Sequence, residues 1–231
     1  MHSGRGISRI LNNVNLYYND ALLERVDCHT FLGVTFQSNL TWSHHVGNVR
    51  MKVARCIGML SRLRNLIPVR LKKQLYFSLI HSLFNYCCLV WGTGIKTDND
   101  RLFALQRRAI RALYKESLDT VTFMATHNIL PFHDIYKQKL SVYVFSEVSS
   151  NYNRFSSHYL NRDTGHNLRR TFIVVDKPRT NYAKQTIDHQ IMKLCNNYPD
   201  ILDIARTSRS LPTFKRRIKP LFTSIENQIH D

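Results

Sequence analysis

Residues 74–95 read QLYFSLIHSLFNYCCLVWGTGI, twenty-two positions without a formal charge between Lys73 and Lys96. Leu75, Tyr76, Leu79, Ile80, Leu83, Phe84, Tyr86, Cys87, Leu89, Val90 and Trp91 cover nearly every angle of a helix, and a helix apolar all round is a buried one. Such a helix needs partners on several sides, which sets it at the centre of a helical bundle. The run is also long enough for a membrane span. Ser78, His81, Ser82 and Asn85 interrupt it, however, and Leu, Ile and Val do not dominate it as they would in lipid, so a soluble bundle is the reading carried outward from here.

On its N-terminal side, Val46, Val49, Val53, Ile57, Leu60 and Leu63 recur every three or four residues and predict a helix from about His44 to Leu66, with Thr41 or Ser43 as cap. Lys52, Arg55 and Arg62 fall on the opposite side, within about 80° of one another. Pro68 punctuates, and a second helix runs from Val69 to Trp91, its first turns carrying Arg70, Lys72 and Lys73. Beyond Gly92-Thr93-Gly94, Leu102, Leu105, Ala109 and Leu113 form the core face of a third helix, starting near Asp98, where Asp98 and Asp100 match the positive end of the helix dipole. Arg101, Arg107, Arg108, Arg111 and Lys115 cover the rest of it. Two antiparallel basic helices flanking the apolar one make a compact three-helix bundle.

The fold class is mainly α. An N-terminal β-hairpin and strand lead into the basic helical bundle, and a smaller α+β segment follows it. Asn19-Asp20 favours a tight turn between two short β-prone runs in residues 15–26, and CHTFLGVTF at residues 28–36 alternates like a third strand, with Gly33 allowing a close backbone approach, a bulge or a crossing. Residues 1–14 carry no pattern. Further helices are expected at Thr120 to Asn128 and from Phe132 to about Ser149, then an exposed linker through His166. After it come a strand at Arg169 to Val175, a basic turn at KPRTNY, a helix at Ile187 to Cys195, and a short basic amphipathic helix in SLPTFKRRIKPLF. The organisation is thus residues 1–40, 41–149, 150–166 and 167–231.

The net charge is +17, with 33 Lys and Arg against 16 Asp and Glu, and there is no acidic residue between Asp27 and Asp98. A surface kept soluble by charge intersperses both signs; a face of one sign points to a polyanion, with nucleic acid first and an acidic membrane surface second. The phosphate-binding candidates are Lys52, Arg55, Arg62, Arg70, Lys72, Lys73, Arg107, Arg108, Arg111 and Lys115. Five cysteines without CxxC spacing read as reduced core residues of an intracellular protein, nuclear or cytoplasmic, and MHSGRGISRI lacks the apolar core of an export signal.

Catalytic chemistry is sparse. No Asp-Asp pair occurs, and Asp98 with Asp100 reads as a cap and a first-turn charge rather than a metal site. His44-His45 and Cys28-His29 lack zinc spacing and read as surface or capping residues, and no phosphate-cradling glycine loop is present. No metal or cofactor is expected. The tyrosines are core residues by default, with base stacking as the other use.

The order of motifs carries a resemblance. Thr30-Phe31-Leu32-Gly33-Val34-Thr35-Phe36, Asn39-Leu40-Thr41-Trp42, Val90-Trp91-Gly92 and Leu105-Gln106-Arg107-Arg108-Ala109 resemble the region after the catalytic palm of non-LTR, jockey-like retrotransposon reverse transcriptases. Leu130-Pro131, Pro178-Arg179-Thr180-Asn181-Tyr182 and Phe214-Lys215-Arg216-Arg217 extend it. The resemblance implies that Phe31, Leu32 and Gly33 match the primer grip, and that residues 44–115 match the thumb, which holds template and primer through their backbones. It further implies that the Tyr-x-Asp-Asp carboxylates belong to segments not represented in this sequence. The chain is then a non-catalytic fragment binding an RNA/DNA hybrid or duplex, with a catalytic palm and fingers polypeptide as a further partner. Two other readings remain at this point: a structural remnant binding any polyanion, and a basic protein on an acidic membrane surface.

Overall fold

A computed structural model describes residues 15–93, 96–114, 119–160, 178–180 and 182–223. The described part begins with two antiparallel hairpins. Strands β1 (Tyr17–Tyr18) and β2 (Ala21–Leu22) pair across Asn19 and Asp20, whose φ values of 47° and 61° give the tight turn that this dipeptide favours. The expected single third strand is instead a second hairpin, β3 (Cys28–Phe31) with β4 (Val34–Gln37). Its turn is Leu32-Gly33, at φ 47° and 77°. Gly33 is therefore required by its backbone conformation, not by a bulge or crossing, because a positive φ costs any residue with a Cβ.

Helix α1 (Ser43–Leu63) buries Val46, Val49, Val53, Ile57 and Leu60 of the stripe its periodicity predicts, while Leu63, in its last turn, is exposed. Neither Thr41 nor Ser43 caps it. The Gln37 side-chain oxygen accepts from the His44 N–H at 3.0 Å, and the Ser43 hydroxyl turns to Asp98 at 3.2 Å.

The charge-free run does not form one helix. It divides into α2 (Val69–Leu75), a π-helical turn (Tyr76–His81), α3 (Ser82–Asn85) and α4 (Cys88–Trp91). The break is at Tyr86, which is extended, and Cys87, at φ 49°. Tyr76, Ile80, Phe84, Cys88 and Trp91 are buried while Val69, Tyr86 and Val90 are exposed, so the run is buried along one side only. Trp91 holds the break closed: its indole N–H donates to the Tyr86 carbonyl at 2.9 Å, and its ring stacks on Phe132 at 5.6 Å between centroids.

Helix α5 (Lys96–Tyr114) packs directly against α1, and the two run in the same direction, their first turns joined by Ser43 and Asp98. The antiparallel arrangement is thereby corrected: the apolar run returns the chain between two parallel basic helices. Buried Gln106 fastens α5 to the run, donating to the Tyr76 hydroxyl at 2.7 Å and to the Leu130 carbonyl at 2.8 Å. Then follow α6 (Thr120–Thr126), capped by the Asp119 carboxylate, and α7 (Phe132–Phe155).

Residues 149–160 depart from the linker expectation. Asn151 breaks α7 (φ −160°, ψ 91°), its side chain accepts from the Arg154 N–H, and a helical continuation runs to Leu160 with Phe155 and Tyr159 buried. The remainder of that linker and the strand expected at Arg169 to Val175 lie outside the described residues, as does the patternless 1–14 segment. The C-terminal part contributes a 3-10 turn (Ala183–Gln185), α8 (Ile187–Asn197), α9 (Asp200–Thr207), which sequence reading does not anticipate, and α10 (Leu211–Thr223). Phe214, Ile218 and Phe222 close α10 onto the core while Lys215, Arg216 and Arg217 stay exposed. Trp42 ties the ends of the fold together, donating to the Gln185 side chain at 3.0 Å.

Two imidazoles, one buried and one half-buried, contribute to its pH response. His45, expected at the surface, is buried: its Nδ1 accepts from the Thr35 N–H at 3.2 Å and its ring meets Trp91 edge-on. The His81 Nδ1 is buried without a partner among the described residues. Burial first, then the charges of Lys52 and Lys139 respectively, holds both below the ordinary 6.5. Below that pH the unfolded chain takes up protons that the folded chain refuses, so stability falls as pH drops through about 6.5 and levels off below the folded-state values. Urea midpoints measured across that range check this, and a His45→Gln/His81→Gln variant is expected to flatten the profile.

Candidate nucleic-acid interface

The sequence of α1 leaves its solvent side no carboxylate, and the structure keeps Lys52, Arg55 and Arg62 exposed there. Arg55 and Arg62 stand about 10 Å apart along the axis at 1.5 Å per residue. Gly47 and Gly58 share the outer side, and a Cβ at either would meet nothing within 4 Å. These glycines are not demanded by internal packing, so this side of the helix is smooth as well as positive.

On α5, Arg108 and Arg111 are exposed and Arg107 is half-buried, its guanidinium 5.2 Å from the Phe103 ring centre and its Nε enclosed without a partner among the described residues. The direct packing of α5 on α1 creates an open groove of about 560 Å³. Arg50 and Met51 line one wall and Leu105 and Arg108 the other. Arg108 of one helix and Arg50 of the next thus face a common space. Arg50 is not among the sequence candidates because, on the helix wheel, it lies off the Arg55 and Arg62 stripe; only the position of α5 brings it beside Arg108.

From α2, Arg70 and Lys73 are exposed, and Lys72 lies 5.7 Å over the Tyr114 ring, joining the basic start of the apolar run to the end of α5. Lys115 lies outside the described residues. Arg50, Lys52, Arg55, Arg62, Arg108 and Arg111 make no ion pair among the described residues, whereas Arg101 is committed to Asp98 at 3.3 Å. Asp98 itself is buried against Ser43 and Arg101 rather than capping the helix.

Phe31, Leu32 and Gly33 form the tip of the second hairpin. Phe31 and Leu32 are exposed, and the Leu32 carbonyl accepts from the Tyr86 hydroxyl at 2.6 Å. The tip therefore rests on the break in the apolar run. Leu16, Tyr17, Tyr18, Leu22, Leu23 and Val26 of the first hairpin region are also exposed. All five cysteines are free; Cys88 and Cys195 are core residues, but Cys28 and Cys87 are exposed, the former 3.5 Å from the His44 Nδ1. Among the described residues no three His, Cys, Asp or Glu side chains gather as a metal site, and no helix is long and apolar enough to cross a membrane.

A mainly helical chain with a single-signed face, introduced by hairpins, is similar in sequence to RNA-directed DNA polymerases of mobile elements. In Drosophila melanogaster these relatives are the probable RNA-directed DNA polymerase from transposon BS, 26% identical over 98 residues, and the RNA-directed DNA polymerase from mobile element jockey, 27% identical over 99. The matches cover 40% and 41% of this chain and only 10% and 11% of those proteins, so the matched stretch spans about a tenth of their length. No protein-family model matches the chain, and no solved structure does.

Proposed function

We propose that this chain is a non-catalytic piece of a mobile-element RNA-directed DNA polymerase, positioned after the catalytic region, that holds template and primer by their phosphate backbones. The observation that carries this reading is the pairing of α1 and α5, which sets Arg50 and Arg108 on a shared groove with no carboxylate among its described lining residues. Such a surface attracts a polyanion without reading bases, as a moving polymerase requires. In this reading α1 and α5 belong to the thumb, with Lys52, Arg55, Arg62, Arg108 and Arg111 on phosphates, Arg50 added from the groove, and Arg70, Lys72, Lys73 and Arg107 at its far end.

The hairpin tip at Phe31, Leu32 and Gly33 then supports the primer end. The apolar side chains exposed on the two hairpins meet the polypeptide that carries the catalytic carboxylates, because exposed apolar side chains in such number mark a contact surface. That role also sets the chain inside the cell. The test is a ranking of ligands by fluorescence anisotropy: an RNA/DNA hybrid is expected to bind more tightly than single-stranded RNA of equal length, with duplex DNA between them. Equal binding of all three alongside heparin would leave only general polyanion affinity.

A further inference from the structure

A second site lies away from that face. A cavity of about 490 Å³ opens between the start of α5, α7 and α8, within the range of small-ligand sites. Phe103, Tyr136 and Tyr198 line it together with Lys96, Lys137 and Lys193, and Asp100 is the one carboxylate among its described lining residues.

Tyr136 distinguishes this cavity from a packing gap. Its side chain is only 9% exposed, yet its hydroxyl makes no hydrogen bond among the described residues. The ring lies across Gly92, where a Cβ would come within 2.7 Å of the Tyr136 Cδ2, so the glycine is what lets the phenol occupy this position. The oxygen keeps solvent contact, so its proton is available to a group that enters the cavity. Burial raises its pKa, which keeps the proton on the oxygen at neutral pH.

One of the charges around it, Lys137, is held in place. Lys137 sits 3.3 Å from the Asp134 carboxylate, donates to the Tyr198 hydroxyl at 3.3 Å and lies 5.7 Å over the Tyr198 ring. Lys96 belongs to the first turn of α5, the positive end of that helix, and Lys193 is exposed on α8. Lysines, a phenol donor and a helix start suit a group with several acceptor oxygens. The aromatic rings beside them suit a flat apolar one.

We propose that the cavity binds a single nucleotide unit, its phosphate toward the lysines and the Tyr136 hydroxyl and its base against Phe103 and Tyr198. This site is distinct from the α1 and α5 groove, although Arg107 against Phe103 borders both, and it does not depend on the duplex reading. The unit arrives either as a free nucleotide or as the 5′-phosphorylated end of a strand.

Calorimetric titration of the full chain with AMP, supported by ligand-observed NMR, tests it. Saturable binding with a Kd of about 1 mM or tighter is expected. Tyr136→Phe, which keeps the ring, should weaken it about tenfold, the size of one hydrogen bond to a charged group, without lowering the melting temperature. Lys193→Glu should weaken it similarly, and Arg55→Glu/Arg62→Glu should leave it unchanged. Displacement of AMP by a 5′-phosphorylated oligonucleotide but not by its 5′-hydroxyl counterpart assigns the strand end; no displacement by either assigns the free nucleotide. The proposal is overturned if AMP shows no saturable binding, if Tyr136→Phe and Lys193→Glu leave binding intact, or if inorganic phosphate competes as well as AMP.

Discussion

Replacing Arg55 and Arg62 together by glutamate is expected to lower affinity for an RNA/DNA hybrid about a hundredfold or more near 0.1 M salt, and to reduce the log–log salt slope by about 2. Both side chains lie on the exposed, acid-free side of α1 and make no ion pair among the described residues. Their removal therefore takes cations away from the phosphates without breaking an internal interaction. Each phosphate left without its cation lowers the slope by about 0.9 on a B-form duplex, and reversed charge adds repulsion. The fold should be indifferent, since exposed substitutions away from caps and cores usually shift stability by no more than about 0.5 kcal/mol. An unchanged melting temperature with a salt slope reduced by about 2 separates a weakened grip from a damaged structure. A variant that kept full affinity would remove α1 from the interface.

Trp91→Ala is expected to destabilise the chain by about 5 kcal/mol, which is a third or more of the total stability of a typical domain. The ring is fully buried, stacked on Phe132 and met edge-on by His45. Truncation leaves a cavity at the junction of α1, the apolar run and α7. It also strands the Tyr86 carbonyl, which the break at Cys87 has removed from the helical ladder and which only the indole satisfies among the described residues. Trp91→Phe isolates that second contribution: it retains most of the packing and should cost about 2 kcal/mol, in the range for a missing hydrogen bond and an orphaned acceptor. Urea unfolding of the two variants measures both. Equal, small effects would mean that the break at Tyr86 does not depend on Trp91.

Much of this architecture was legible in the sequence because its helices carry regular periods. The stripe of Val46, Val49, Val53, Ile57 and Leu60 specifies α1 and its buried side, and Asn19-Asp20 specifies the first turn by its backbone preference. The second hairpin was hidden because its turn begins at Leu32, a residue that rarely adopts a positive φ, so only Gly33 signalled it and a lone glycine also fits a bulge. The break at Tyr86 was hidden for a different reason. A run apolar on every side has no phase to lose, and its disruption depends on a distant contact, the Tyr86 hydroxyl on the Leu32 carbonyl, together with the Trp91 bond.

The candidate site was legible by composition and only partly by position. Absence of acid between Asp27 and Asp98 marks the region, and the wheel of α1 selects Lys52, Arg55 and Arg62. Arg50 enters only when α5 is set beside α1, and the parallel sense of the two helices rests on Ser43 reaching Asp98, a contact with no local signature. Tyr136 was one more core tyrosine in sequence; its unpartnered hydroxyl in the cavity is visible only in three dimensions.

The most direct test of the central claim is the salt dependence of the unmodified chain on a labelled RNA/DNA hybrid, measured beside single-stranded RNA and with heparin as competitor. Engagement of about six phosphates by the α1 and α5 face predicts a log–log slope near −5 for the hybrid, and binding at least about tenfold tighter than to the single strand. A slope near −1, or the same affinity for hybrid, single strand and heparin, would contradict it.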